Sequence, residues 1–66
     1  MVILSAIGME RLRQIQDKYR FMNGFELEQH DVYEFCTRLR EAYHMGLCLD
    51  DEDLEFIEEV LEKIIN

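Results

Sequence analysis

Apolar residues recur at steps of three and four in three separate stretches of this chain. Leu12, Ile15, Tyr19 and Met22 form the first set. Val32, Phe35, Cys36, Leu39, Ala42 and Tyr43 form the second, and Leu54, Ile57, Val60, Leu61, Ile64 and Ile65 the third. That period places each set on one face of an α-helix. The first stretch predicts a helix from Ala6 or Met9 to Met22. The second predicts a helix from Glu28 or Val32 to Met45, since both Glu28 and Asp31 are able to cap it. The third predicts a helix over Asp51–Ile65, with Asp50 as its cap and Asp53 at the capping-box position. No stretch has the strict alternation of a half-buried strand.

The links between these stretches repeat. Gly24-Phe25-x-Leu27-Glu28-x-x-Asp31-Val32 is answered 22 residues later by Gly46-Leu47-x-Leu49-Asp50-x-x-Asp53-Leu54. The register continues through Phe35 on Ile57, Leu39 on Leu61 and Ala42 on Ile64. Each copy reads as a helix stop, a short extended link, a cap and an amphipathic helix. Gly24 and Gly46 are the expected stops, because glycine takes the left-handed conformation that ends helices. Phe25, Leu27, Leu47 and Leu49 are expected to plug the ends of the bundle. Links this short suit antiparallel neighbours. The expected fold is all-α: one compact three-helix bundle with short Gly-terminated turns over residues 1–66. Residues 1–8 are either the first turn of helix one or an extended arm, and Met9 is an alternative start.

Composition narrows the picture. The chain has no Pro, 48% hydrophobic and 33% charged residues, a profile of packed helices rather than disorder. A domain of this size buries only about 60% of its unfolded surface, so each core residue matters. The apolar start lacks basic flanks and is too short for a signal peptide or a membrane span. Cys36 and Cys48 form no CxxC pair, and reduced thiols in a cytoplasmic setting are expected. Both read as small buried hydrophobes.

The net charge of −8 is unevenly distributed: +2 over residues 10–20, −3 over 21–49 and −7 over 50–63. Asp51, Glu55, Glu58, Glu59 and Glu62 share one side of helix three. This stripe reads either as a solvated face or as a dock for a basic surface. A second, mixed stripe on helix two consists of Tyr33, Thr37, Arg40 and His44, and Tyr and Arg are frequent interface anchors. Phe21 and Phe56 lie off the hydrophobic seams: either one of them folds under the Phe25 link in a monomer, or both stay exposed and mark contact sites. Arg11, Arg13, Lys18 and Arg20 would serve a nucleic-acid reading, although an acidic third helix would repel phosphate.

Catalytic, cofactor and metal motifs are absent from the pattern. Asp50-Asp51-Glu52-Asp53 lacks the alternation and the glycine of a calcium loop. His30 and His44 have no second His or Cys at ligand spacing. Met22-Asn23-Gly24-Phe25 resembles the Met-Gly-Phe loop of ubiquitin-associated domains with one Asn added, and Gln16-x-x-Tyr19-x-Phe21 is similar to a loose sliding-clamp-binding pattern. Neither names a family. The expected function is that of a small non-catalytic protein that binds and modulates another protein. It would be an inhibitor, adaptor or antirepressor of the kind phages and mobile elements carry. A homodimeric assembly module is the alternative, driven by surplus apolar surface on helix three and Phe21. A nucleic-acid binder is a further alternative. Neither a membrane nor a cofactor is expected.

Overall fold

The computed structural model describes residues 4–65. Three helices follow one another: α1 over Ala6–Lys18, α2 over Val32–His44 and α3 over Asp51–Ile65. A single 3-10 turn, Gln29–Asp31, leads into α2. The all-α three-helix reading therefore holds, and α3 has the boundaries its periodicity predicts. Residues 1–3 and the side chain of Ile65 lie outside the described residues. What their part of the sequence predicts is not addressed by the structure.

α1 starts at Ala6, the earlier of its two expected starts. Ser5 supplies the cap, its Oγ accepting the N–H of Gly8 at 3.1 Å, which satisfies one of the orphan donors of the first turn. Leu4 is held as well: its N–H donates to Gln29 Oε1 at 3.1 Å, and its carbonyl accepts from Gln29 Nε2 at 2.8 Å.

The end of α1 corrects the sequence reading. The helix stops at Lys18, not Met22. Arg20 adopts a left-handed φ of 51°, and the N–H groups of Arg20 and Phe21 bond back to the carbonyls of Asp17 and Gln16. This is the Schellman arrangement, here with arginine at the position glycine usually fills. α2 ends in the same arrangement, with Gly46 at φ 116° and the N–H groups of Gly46 and Leu47 bonded to Tyr43 and Ala42. The structural counterpart of Gly46 is thus Arg20. Gly24 does take a positive φ of 82°, but it lies in the link rather than at the helix end.

Gln16 explains why the chain turns so early. Its side chain is buried, and its Nε2 donates to the carbonyls of Met22 and Phe25, each at 2.8 Å. A buried amide needs partners, and wrapping the link around Gln16 provides two. The Arg13 guanidinium adds a bond to the Leu27 carbonyl at 3.0 Å.

The start of α2 reconciles its two candidate caps. Glu28 precedes the 3-10 turn and Asp31 precedes the α-helix. Asp31 Oδ2 accepts the Glu28 N–H at 3.1 Å, which closes the turn on itself.

The core is built from Met9, Leu12 and Ile15 of α1, Leu27 of the first link, Val32, Phe35, Cys36 and Leu39 of α2, and Ile57, Val60 and Leu61 of α3. The pairs Phe35/Ile57 and Leu39/Leu61 are buried in both copies of the repeat. Leu47 and Leu49 are half-buried against this core. Phe25 is not a plug, being 44% exposed, and Tyr43, at the end of the seam, is 37% exposed. The Gln16 bond to the Phe25 carbonyl fixes the backbone there, and Leu27 is buried in the core as expected.

Candidate functional site

α3 presents two charged surfaces that the sequence did not separate. At its N-terminus, Asp50 and Asp53 are joined to the C-terminal end of α1. Lys18 Nζ pairs with Asp50 and with Asp53, the latter at 2.8 Å. The Tyr19 hydroxyl donates to Asp53 Oδ2 at 2.6 Å and accepts the Asp50 N–H at 2.9 Å. The first copy of the repeat closes its capping box directly, from Glu28 to Asp31. In the second copy the Tyr19 hydroxyl is inserted between the equivalent residues. Asp53 therefore acts less as a local cap than as the anchor of α1 on α3.

The electrostatics follow from this geometry. Burial alone would raise the Asp53 pKa. Hydrogen bonds from Lys18 and Tyr19, with the charges of Lys18 and Arg11, outweigh it and hold the carboxyl below its ordinary range. Lys18 is pushed up by its hydrogen bonds to Asp50 and Asp53. Tyr19 is pushed up, chiefly by burial. Neither Asp53 nor this triad was recognisable as a cross-helix link in the sequence. One signal was present: Asp53 lies one helical turn before Ile57 on the apolar face, where an unpaired carboxylate would be costly.

On the outer side of α3, Asp51, Glu55, Glu58, Glu59 and Glu62 are all exposed. None of these stripe residues has an ion-pair partner among the described residues. The structure therefore brings the predicted acidic stripe together as one solvent-facing surface. Phe56 lies at its edge, half-buried, with the Arg11 guanidinium 4.4 Å above its ring centroid. Arg11 Nη2 also donates to the Glu52 carbonyl at 3.3 Å. Arg11, Glu52, Glu55, Phe56 and Glu59 line a groove of about 280 Å³ between α1 and α3.

Phe21 is not a free contact residue. It packs edge-on against Phe35, with ring centroids 5.8 Å apart, and is half-buried. The surplus apolar surface expected on α3 is largely used within the chain: Ile57, Val60 and Leu61 are buried, and Leu54, Phe56 and Ile64 are half-buried. Among the described residues, the most exposed large apolar ones lie elsewhere, at Met45 and Ile7.

The mixed stripe of α2 is divided. Tyr33 and His44 are exposed, and Arg40 and Thr37 are half-buried. His44 stacks edge-on against Tyr43 at 5.6 Å. A shallow groove beside the stripe is lined by Tyr33, Glu34, Thr37, Arg38 and Glu41, with Arg38 paired to Glu34 at 2.9 Å. Tyr33 and Thr37 of the stripe line it, whereas Arg40 and His44 lie outside it.

Glu28, His30 and Asp31 place ligand-type atoms within 4.8 Å of one another. Counting only His and Cys spacing missed this group. Asp31 is already engaged in closing the 3-10 turn, and the group is explained as part of that cap. Both cysteines are free. Cys36 is buried, which pushes its thiol up to about 12, whereas Cys48 is exposed, contrary to its reading as a buried hydrophobe. No helix among the described residues is long and apolar enough to cross a membrane. No family model, curated protein or solved structure matches this chain.

Proposed function

We propose that this protein is a small non-catalytic modulator that binds a basic surface of another protein through the exposed acidic face of α3. One observation carries the reading. The acids at this end of the chain are sorted: Asp50 and Asp53 share the Lys18 ammonium, while Asp51, Glu55, Glu58, Glu59 and Glu62 face solvent with no ion-pair partner among the described residues. Carboxylates one turn apart on a helix repel one another by a few tenths of a kcal/mol per pair. A cationic partner relieves that repulsion on docking and is steered to the surface over a Debye length of about 8–10 Å. Two free thiols suit a reducing, cytoplasmic setting.

The other readings have less support. Of the four basic residues on helix one and its end, Arg11, Arg13 and Lys18 are engaged within the chain. That leaves Arg20, with Arg11 held only by surface contacts, to favour phosphate beside an acidic α3 that repels it. The homodimer reading relied on Phe21 and on surplus surface of α3, and both are partly covered by the chain itself.

The test compares the wild type with a variant carrying Glu→Gln at Glu55, Glu58, Glu59 and Glu62. The variant should fold and be slightly more stable. Partners captured from the source organism by the wild type should be lost or bind with slower, salt-insensitive association. Identical partners with identical association rates would return the stripe to a solvated face.

A further inference from the structure

Within that acidic surface, the Arg11–Phe56 contact identifies a particular kind of ligand. Phe56 is flanked on α3 by Glu52, four residues before it, and Glu59, three residues after it, with Glu55 adjacent. Residues at these spacings surround the ring on the helix surface. The groove thus has an aromatic face, acidic walls and an exposed backbone acceptor in the Glu52 carbonyl. It already holds a guanidinium: Arg11 stacks 4.4 Å from the ring centroid and donates to Glu52 O at 3.3 Å. Open space of about 280 Å³ remains beside Arg11, so the groove is not closed by its own occupant.

We propose that this groove is a seat for an arginine side chain of a basic partner protein, and that Arg11 fills it as an internal competitor until that partner docks. The proposal rests on the acidic-dock reading and adds the residue that the dock selects. A guanidinium is planar and weakly hydrated. It can stack on Phe56 while donating to the Glu52 carbonyl and facing Glu55 and Glu59. An ammonium is compact and strongly hydrated, and gains less from the ring. Two guanidinium groups repel each other, so the incoming arginine displaces Arg11 from the ring. Arg11 gives way easily because its own contacts lie at the surface, where such a stack contributes little. The partner's arginine brings further basic neighbours that meet Glu58 and Glu62, which Arg11 cannot reach from the opposite edge of the stripe.

The experiment uses two labelled peptides that are identical except that one carries arginines where the other carries lysines. Affinities are measured by fluorescence anisotropy at about 0.15 M salt, where exposed charges are screened beyond roughly 8 Å. The readout is the arginine-to-lysine affinity ratio, because a change in net charge moves both peptides together. The wild type should favour the arginine peptide. Arg11→Ala should raise the ratio a further two- to five-fold or so, the equivalent of one surface cation–π contact. Phe56→Leu should bring the ratio to about one, and circular dichroism would verify that each variant is folded. If Phe56→Leu does not fold, the Arg11→Ala ratio still decides. Binding of both peptides with a ratio near one in the wild type and in Arg11→Ala would overturn the arginine seat and leave the acidic dock standing. Binding of neither peptide, even at low salt, would overturn both.

Discussion

Tyr19→Phe removes one oxygen atom and should be among the most informative single changes in the molecule. The hydroxyl sits between two residues of α3, donating to Asp53 Oδ2 at 2.6 Å and accepting the Asp50 N–H at 2.9 Å. A hydrogen bond to a charged group contributes about 1.5–3 kcal/mol and a neutral one about 0.5–1.5 kcal/mol. Two features place the loss near the lower end. Asp50 is exposed, so water replaces the hydroxyl at its N–H, and Asp53 keeps Lys18 Nζ at 2.8 Å. The expected cost is about 1.5–2 kcal/mol, or roughly 6–15 °C in Tm for a domain of this size. Urea unfolding followed by circular dichroism at neutral pH measures the first quantity, and a thermal melt the second.

A double-mutant cycle with Asp53→Asn isolates the contact. A coupling energy of about 1 kcal/mol is expected. A cost below about 0.5 kcal/mol for Tyr19→Phe, with no coupling to Asp53, would refute the claim that this hydroxyl fastens α1 to α3. The pH dependence provides an independent check. The folded-state pKa of Asp53 lies below its ordinary value of 3.8, so its contribution is present above that value. It is lost as pH falls through the depressed folded pKa. Tyr19 and Lys18 are raised from 10.0 and 10.5, so their contributions are full below those values and are lost as pH rises through the higher folded pKa values. Stability should therefore plateau between about pH 5 and pH 9. Asp53→Asn should flatten the acid limb.

The two helix ends give opposite predictions from one motif. Arg20→Gly should stabilise the protein by about 0.5 kcal/mol, relieving the left-handed strain at φ 51° less the entropy glycine adds to the unfolded chain. Gly46→Ala should destabilise it by about 1 kcal/mol or more at φ 116°, and chemical denaturation of the pair tests both signs. Cys48 should react rapidly with a thiol reagent in the native protein. Cys36, buried and with its thiol pushed up to about 12, should react only on unfolding. Equal native reactivity of the two thiols would contradict the burial of Cys36 in the core.

The sequence by itself determined what depends on near neighbours in the chain. Ile57, Val60, Leu61 and Ile64 lie on one face of α3 because of the helical period, and Asp50 stands directly before that helix, its carbonyl accepting the Leu54 N–H. Gly46 ends α2 because glycine takes the left-handed conformation at little cost. The acidic stripe is likewise a property of spacing along one helix. The tertiary structure decided everything that joins distant segments. α1 ends at Lys18 because the link folds back around the buried Gln16 amide, and no residue near Arg20 signals a left-handed stop. Asp53 became a cross-helix anchor because Lys18 and Tyr19 reach it from 35 and 34 residues away. Phe21 and Phe56 looked alike as off-seam aromatics, yet Phe35 covers one and Arg11 the other. Periodicity assigns a residue to a face of its own helix; only packing determines what lies against that face.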